Sequence, residues 1–104
     1  MNVRPLDYAE IPLLDGMPPP EWHLDIVGLF RLQYAAPYFH VLAALSEGTV
    51  VGVGNVVVNG RVGWLGNIIV RETHRGQGIG QALVLALCDY CRTRDCCSIQ
   101  LIAT

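Results

Sequence analysis

The stretch Asn67-Ile-Ile-Val-Arg-Glu-Thr-His-Arg-Gly-Gln-Gly-Ile-Gly-Gln-Ala-Leu83 decides how this chain is read. An apolar run ending at Val70 passes through a basic, glycine-rich turn into a helical pattern. Gly76, Gly78 and Gly80 stand at alternate positions. Lacking Cβ atoms, they let the backbone approach a ligand closely and aim successive N–H groups into one concavity, which is how backbone holds phosphate. The turn predicts a phosphorylated ligand.

Downstream, Ile79, Leu83, Ala86, Leu87 and Tyr90 recur at helical spacing, and Val84, Leu85 and Cys88 widen the apolar stripe, so a largely buried helix is expected. Ser98 to Ala103 reads as a last strand. Upstream, Asn59-Gly60 is a two-residue hairpin signal between the β-rich runs Thr49 to Val58 and Arg61 to Val70, and Ser46-Glu47-Gly48 joins His40 to Leu45 to the first of these. Three consecutive antiparallel strands follow from this. Near the start, Asn2 to Leu6 reads as a strand and Asp7 with Glu10 as a helix-capping box, the helix ending at Gly16 to Pro20. Glu21 to Ala35 reads as a second amphipathic helix closed by Pro37. The order is β-α-α-β-β-β-α-β. It predicts an α/β fold with a mixed, mostly antiparallel sheet whose last two strands are parallel neighbours joined by a right-handed crossover.

At 104 residues the chain is expected to be a single domain, residues 1–104. Its net charge of −2, with seven arginines and no lysine, argues against a nucleic-acid or anionic-membrane binder. No apolar run reaches a membrane-spanning length of roughly 18 to 20 residues, and Asp7 and Glu10 stand where a signal peptide would be basic and then apolar. A soluble cytoplasmic protein is the expectation. Cys88-Asp-Tyr-Cys91 lies inside a helical pattern and Cys96-Cys97 are adjacent. Neither spacing suits a zinc knuckle, so no metal is assigned and the cysteines are read as reduced thiols.

A Walker loop needs a lysine that the chain lacks. A dinucleotide fingerprint fails because Gln81 or Leu83 falls where its third glycine belongs. What remains is Arg75-x-x-Gly78-x-Gly80 between a strand and a long helix. On this motif, with the hairpin before it and the element order around it, the chain resembles the GNAT superfamily of acyl-CoA-dependent N-acetyltransferases. The likeness covers nearly the whole chain, as the N-terminal two-thirds of that fold, so the sequence looks C-terminally truncated by a helix and two strands.

The resemblance implies acetyl-CoA or coenzyme A as substrate, with an acetyl group passed to an amine acceptor, a small molecule or a peptide. It implies that backbone N–H groups of Gln77, Gly78, Ile79, Gly80 and Gln81, with Arg75 and Gly76, hold the pyrophosphate at a helix N-terminus. It also implies that Ile68, Ile69 and Val70 carry the pantetheine arm along a locally bulged strand. The catalytic base is unassigned, because Trp64 stands where some relatives carry a glutamate and Arg61 to Val70 holds no carboxylate. Glu72, His74 and Tyr38 are the candidate side chains, and a solvated or packing role stands beside each. Trp22 and His23 are candidates for acceptor recognition, and His40 for the groove. A catalytically silent CoA-binding or assembly module is the rival function. The last strand, with Ile99, Leu101 and Ile102, would leave an apolar sheet edge, so either a homodimer or a separate C-terminal segment is expected to cover it.

Overall fold

The computed structural model describes residues 1–101. Five strands form one sheet in sequence order: β1 (Asn2–Pro5), β2 (Phe39–Ser46), β3 (Thr49–Asn59), β4 (Val62–Val70) and β5 (Ser98–Leu101). β1 to β4 pair antiparallel and β5 runs parallel to β4, from Val62 opposite Ser98 to Leu65 opposite Leu101. The fold class is the expected one. Ile102 and Ala103, the end of the expected last strand, lie outside the described residues, and the first strand stops at Pro5 instead of Leu6.

Helix α1 (Ile26–Gln33) covers one face of the sheet and α2 (Ile79–Thr93) the other. Side chains alternate across a strand, so each strand feeds both layers. Val53 and Ile69 enter the α1-side core beside Phe30, Phe39, Ile11 and Leu14. Val56 and Leu65 enter the α2-side core. Helix α2 buries Ile79, Leu83, Leu87 and Cys91, one residue every four, and the three aliphatic ones are each worth roughly 1.5–3 kcal/mol. The stripe is narrower than the sequence suggested, since Leu85 is exposed. The helix sits close to the sheet because β3 is bare beneath it. A Cβ on Gly52 would lie 3.0 Å from Ile79, and one on Gly54 would lie 3.1 Å from Leu87.

Two expected helices are corrected. Tyr8–Leu14 is a 3₁₀ helix that keeps the capping box of Asp7 and Glu10. Pro12 inside it has no N–H to donate, so the longer-range α ladder cannot form through it. Glu21 to Ala35 is not one helix. A 3₁₀ turn at Pro20–Trp22 ends in His23, whose φ is +50°, and α1 starts afresh after Asp25, whose carboxylate accepts the Gly28 N–H at 3.0 Å. Local capping by Asp25 outcompetes helical continuity. Among the described residues, no helix is long and apolar enough to cross a membrane.

Candidate functional site

β4 does not run straight into the glycine turn. Val53 pairs with Ile69 and Asn55 with Gly66, so Asn67 and Ile68 together face the single residue Gly54. This is a β-bulge, and Asn67 adopts a left-handed φ of +51° to make it. The extra residue swaps the faces of everything after it. Leu65 faces α2, and beyond the bulge Ile68 and Val70 face it too, while Ile69 enters the opposite core. Asn67 itself is turned to donate its amide N–H to Oδ1 of Asn55 at 2.8 Å.

After β4, Glu72–His74 makes a short 3₁₀ turn, and Gly76 and Gly78 follow with φ of +78° and +80°. Gly78 caps α2 with its backbone alone, no side chain taking part. The Ala82 N–H bonds the Gly78 carbonyl at 3.0 Å, so the donors just before it, at the helix start, have no intrahelical partner. With the helix dipole they form a positive concavity. Among the described residues, apart from each glycine's own chain neighbours, no protein atom lies within 4 Å of where a Cβ on Gly76 or Gly78 would sit. A Cβ on Gly80 would point toward Val70 and Ile68, at 3.8 and 3.9 Å.

That direction opens into a cleft of about 370 Å³ lined by Pro19, Trp22, Ile68, Ile69, Val70, Arg75 and Gly80. A second cleft of about 470 Å³ lies between Gly16–Glu21 and Arg71–Arg75, sharing Pro19 and Arg75 with the first. The wall of both is the proline-rich segment before α1. The 3₁₀ helix Tyr8–Leu14 that leads into it is held in place from two directions. Arg71 donates Nε–H to the Val50 carbonyl and an Nη2–H to the Leu13 carbonyl, both at 2.8 Å. Arg4 grips Glu10 through two 2.8 Å bonds, which with the Asp7 N–H holds that carboxyl at a pKa of about 2.

Of the expected site residues, Ile68, Ile69, Val70, Arg75 and Gly80 meet around the smaller cleft, and Gly76, Gln77, Gly78, Ile79 and Gln81 form the turn beside it. Ile79 is buried by its side chain, so only its backbone serves the concavity. Arg75 donates Nε–H to the Val70 carbonyl at 3.2 Å, which fixes it across the cleft mouth. Glu72 lines the larger cleft, and His74 is half-buried with Nδ1 at 2.8 Å from the Thr73 hydroxyl. Tyr38 is not brought to them. Its carbonyl accepts the Val58 N–H, six residues along β3 from Gly52, roughly 20 Å from where β4 ends. His40 is on the α2 side, stacked on Tyr90 with centroids 3.8 Å apart. Trp22 lines the smaller cleft, whereas His23 is exposed at the turn into α1. Sequence reasoning missed Arg71, passed over Glu21 as the start of a helix, and missed the role of Asn67, whose tolerance of left-handed backbone was the available signal.

A model of the Acetyltransferase (GNAT) family matches residues 8–104. The chain belongs to the GNAT acetyltransferase family. Among curated proteins, none matches it in sequence. Solved structures share its fold. A ribosomal-protein-alanine N-acetyltransferase from Brucella melitensis biovar Abortus 2308 is 21% identical with a TM-score of 0.82, over 100% of this chain and 81% of that one. A predicted acetyltransferase from Clostridium acetobutylicum, crystallised with acetyl-CoA, is 20% identical with a TM-score of 0.76, over 99% and 80%. An aminoglycoside acetyltransferase from an uncultured soil metagenomic sample, in complex with sisomicin, is 16% identical with a TM-score of 0.80, over 99% and 77%.

Proposed function

We propose that this GNAT-family chain is an acetyl-CoA-dependent N-acetyltransferase that passes an acetyl group to an amine. The observation carrying the proposal is the glycine concavity at the start of α2 opening directly into the cleft along the bulged end of β4. The residues present fit coenzyme A. The space beside Gly76 and Gly78 is free of protein atoms, and the open path past Gly80 is one that a methyl group would enter. Backbone donors from Gln77 to Gln81 would hold the pyrophosphate, with Arg75 supplying charge across the cleft mouth. Ile68, Ile69 and Val70 would hold the pantetheine arm by main-chain hydrogen bonds, as an added strand is held. Acetyl-CoA supplies the acyl group already activated as a thioester.

The chain must then take a proton from the acceptor ammonium before the amine can attack. β4 offers no carboxylate for this, and Trp64 is partly exposed on it. Glu72 and Glu21 line the larger cleft, on the side of the turn that would hold the pyrophosphate, so we assign the proton to water at the thioester end of the arm, from which CoA leaves as its thiolate. The lack of a carboxylate on β4 equally favours a second reading, a CoA-binding module without turnover. Incubation with acetyl-CoA and a panel of primary amines, read by mass spectrometry of the products, separates the two. An acetylated amine above the uncatalysed background supports the transferase, and saturable CoA binding without product from any amine supports the silent module.

A further inference from the structure

Asn55 is the only buried polar side chain among the described residues, 4% exposed, on a strand whose other inward positions are glycine or valine. It lies on the α1 side of the sheet, between Val53 and Val57, and among the described residues its side chain bonds only the Asn67 amide. Asn67 holds the one left-handed φ in β4. A buried amide costs stability unless it is bonded, so its position calls for a reason that valine would not satisfy. The bulge provides one. An unlatched β4 would be free to lose it, moving Ile68 and Val70 off the α2 face and Ile69 out of the α1-side core.

We propose that the Asn55–Asn67 pair is a latch that holds the β4 bulge and thereby positions the main chain of Ile68, Ile69 and Val70 for the pantetheine arm. The two amides act through the backbone and are positioning residues, not catalytic ones. The inference rests on the CoA reading above, and its consequences split along the ligand. The glycine turn is built on its own positive-φ residues and the helix start, so the nucleotide end of CoA is held independently of the latch. The arm end is not.

The test compares two probes, CoA and its nucleotide fragment 3′-phosphoadenosine 5′-diphosphate, by calorimetry on the parent protein and three variants. Asn67→Gly keeps the left-handed backbone and removes the amide. Asn55→Ala removes the partner. Asn67→Asp tolerates the same φ and can accept from an Asn55 amide turned over to donate. CoA affinity is expected to fall roughly tenfold in Asn67→Gly and Asn55→Ala, the scale of one hydrogen bond, with the fragment unchanged. Asn67→Asp should recover most of the loss. CoA binding by Asn67→Gly within twofold of the parent overturns the latch and leaves the CoA reading intact. An equal loss for CoA and fragment also overturns it, since the pair would then serve the fold in general. A parent protein that binds neither probe overturns the CoA reading itself.

Discussion

Gly80→Ala separates a glycine kept for a ligand from a glycine kept for the fold. Gly80 is the second residue of α2, its φ is not positive, and a Cβ there would touch Val70 and Ile68 at ordinary van der Waals distances of 3.8 and 3.9 Å. Within the protein, alanine is therefore the better residue. Its helix propensity exceeds glycine's by about 1 kcal/mol in a helix interior, and about half of that is expected in the first turn. In a domain of this size, that gain raises the midpoint of thermal unfolding by roughly 2–4 °C. The same methyl projects into the cleft lined by Ile68, Val70 and Arg75. It occupies space the pantetheine arm needs, and a tenfold or greater loss of CoA affinity, about 1.4 kcal/mol, is expected. Differential scanning calorimetry and isothermal titration on the same sample read both quantities. A variant that is more stable and binds CoA poorly upholds the reasoning. A variant that binds CoA within twofold of the parent, or that loses more than about 1 kcal/mol of stability, refutes it.

Gly78→Ala should behave differently. Its φ of +80° strains any side chain by about 1 kcal/mol although no atom obstructs the Cβ, so both stability and CoA binding fall. Acid should destabilise the protein in two stages in urea titrations. Burial, then Arg94, lowers the His40 pKa below its usual 6.5, so the neutral ring is favoured in the fold and stability drops as pH falls below about 6.5; His40→Gln removes that stage. Glu10 is depressed from 4.5 to about 2, so its contribution is complete above pH 4.5 and lost as pH falls through about 2; solvent screening of the pair limits it to about 1 kcal/mol, and Glu10→Gln removes it. Among the four thiols, exposed Cys97 should alkylate first with iodoacetamide at pH 8, and Cys91, buried and pushed up to about 11, last; peptide mass spectrometry that finds Cys91 modified first contradicts its placement against Gly63.

The central sheet was legible because its signals are local. The β-rich runs from His40 to Val70 and the Asn59-Gly60 turn mark three antiparallel strands, and a βα transition at the glycines makes β5 a parallel neighbour. The glycine turn was equally legible, since Gly76 and Gly78 declare their backbone by composition. What was not legible depends on contacts distant in sequence or on competition between local options. The break at His23 is won by Asp25 capping the Gly28 N–H, a choice that the periodicity of Trp22, Ile26 and Phe30 conceals. Arg71 follows an apolar run and nothing in the sequence marks its partner, yet it reaches Leu13 across the fold. Asn67 reads as one polar residue in an apolar run, and only its pairing with Asn55 gives it a role. Tyr38 was singled out by type and nearness to a strand start, and the antiparallel run of β3 carries it to the far end of the sheet.

Calorimetric titration of acetyl-CoA into the purified chain tests the central claim most directly. The account predicts saturable one-to-one binding, with a rise in thermal midpoint that follows ligand concentration, equivalent to about 2.7 kcal/mol at a hundredfold excess over Kd. No heat and no thermal shift at millimolar acetyl-CoA would contradict it.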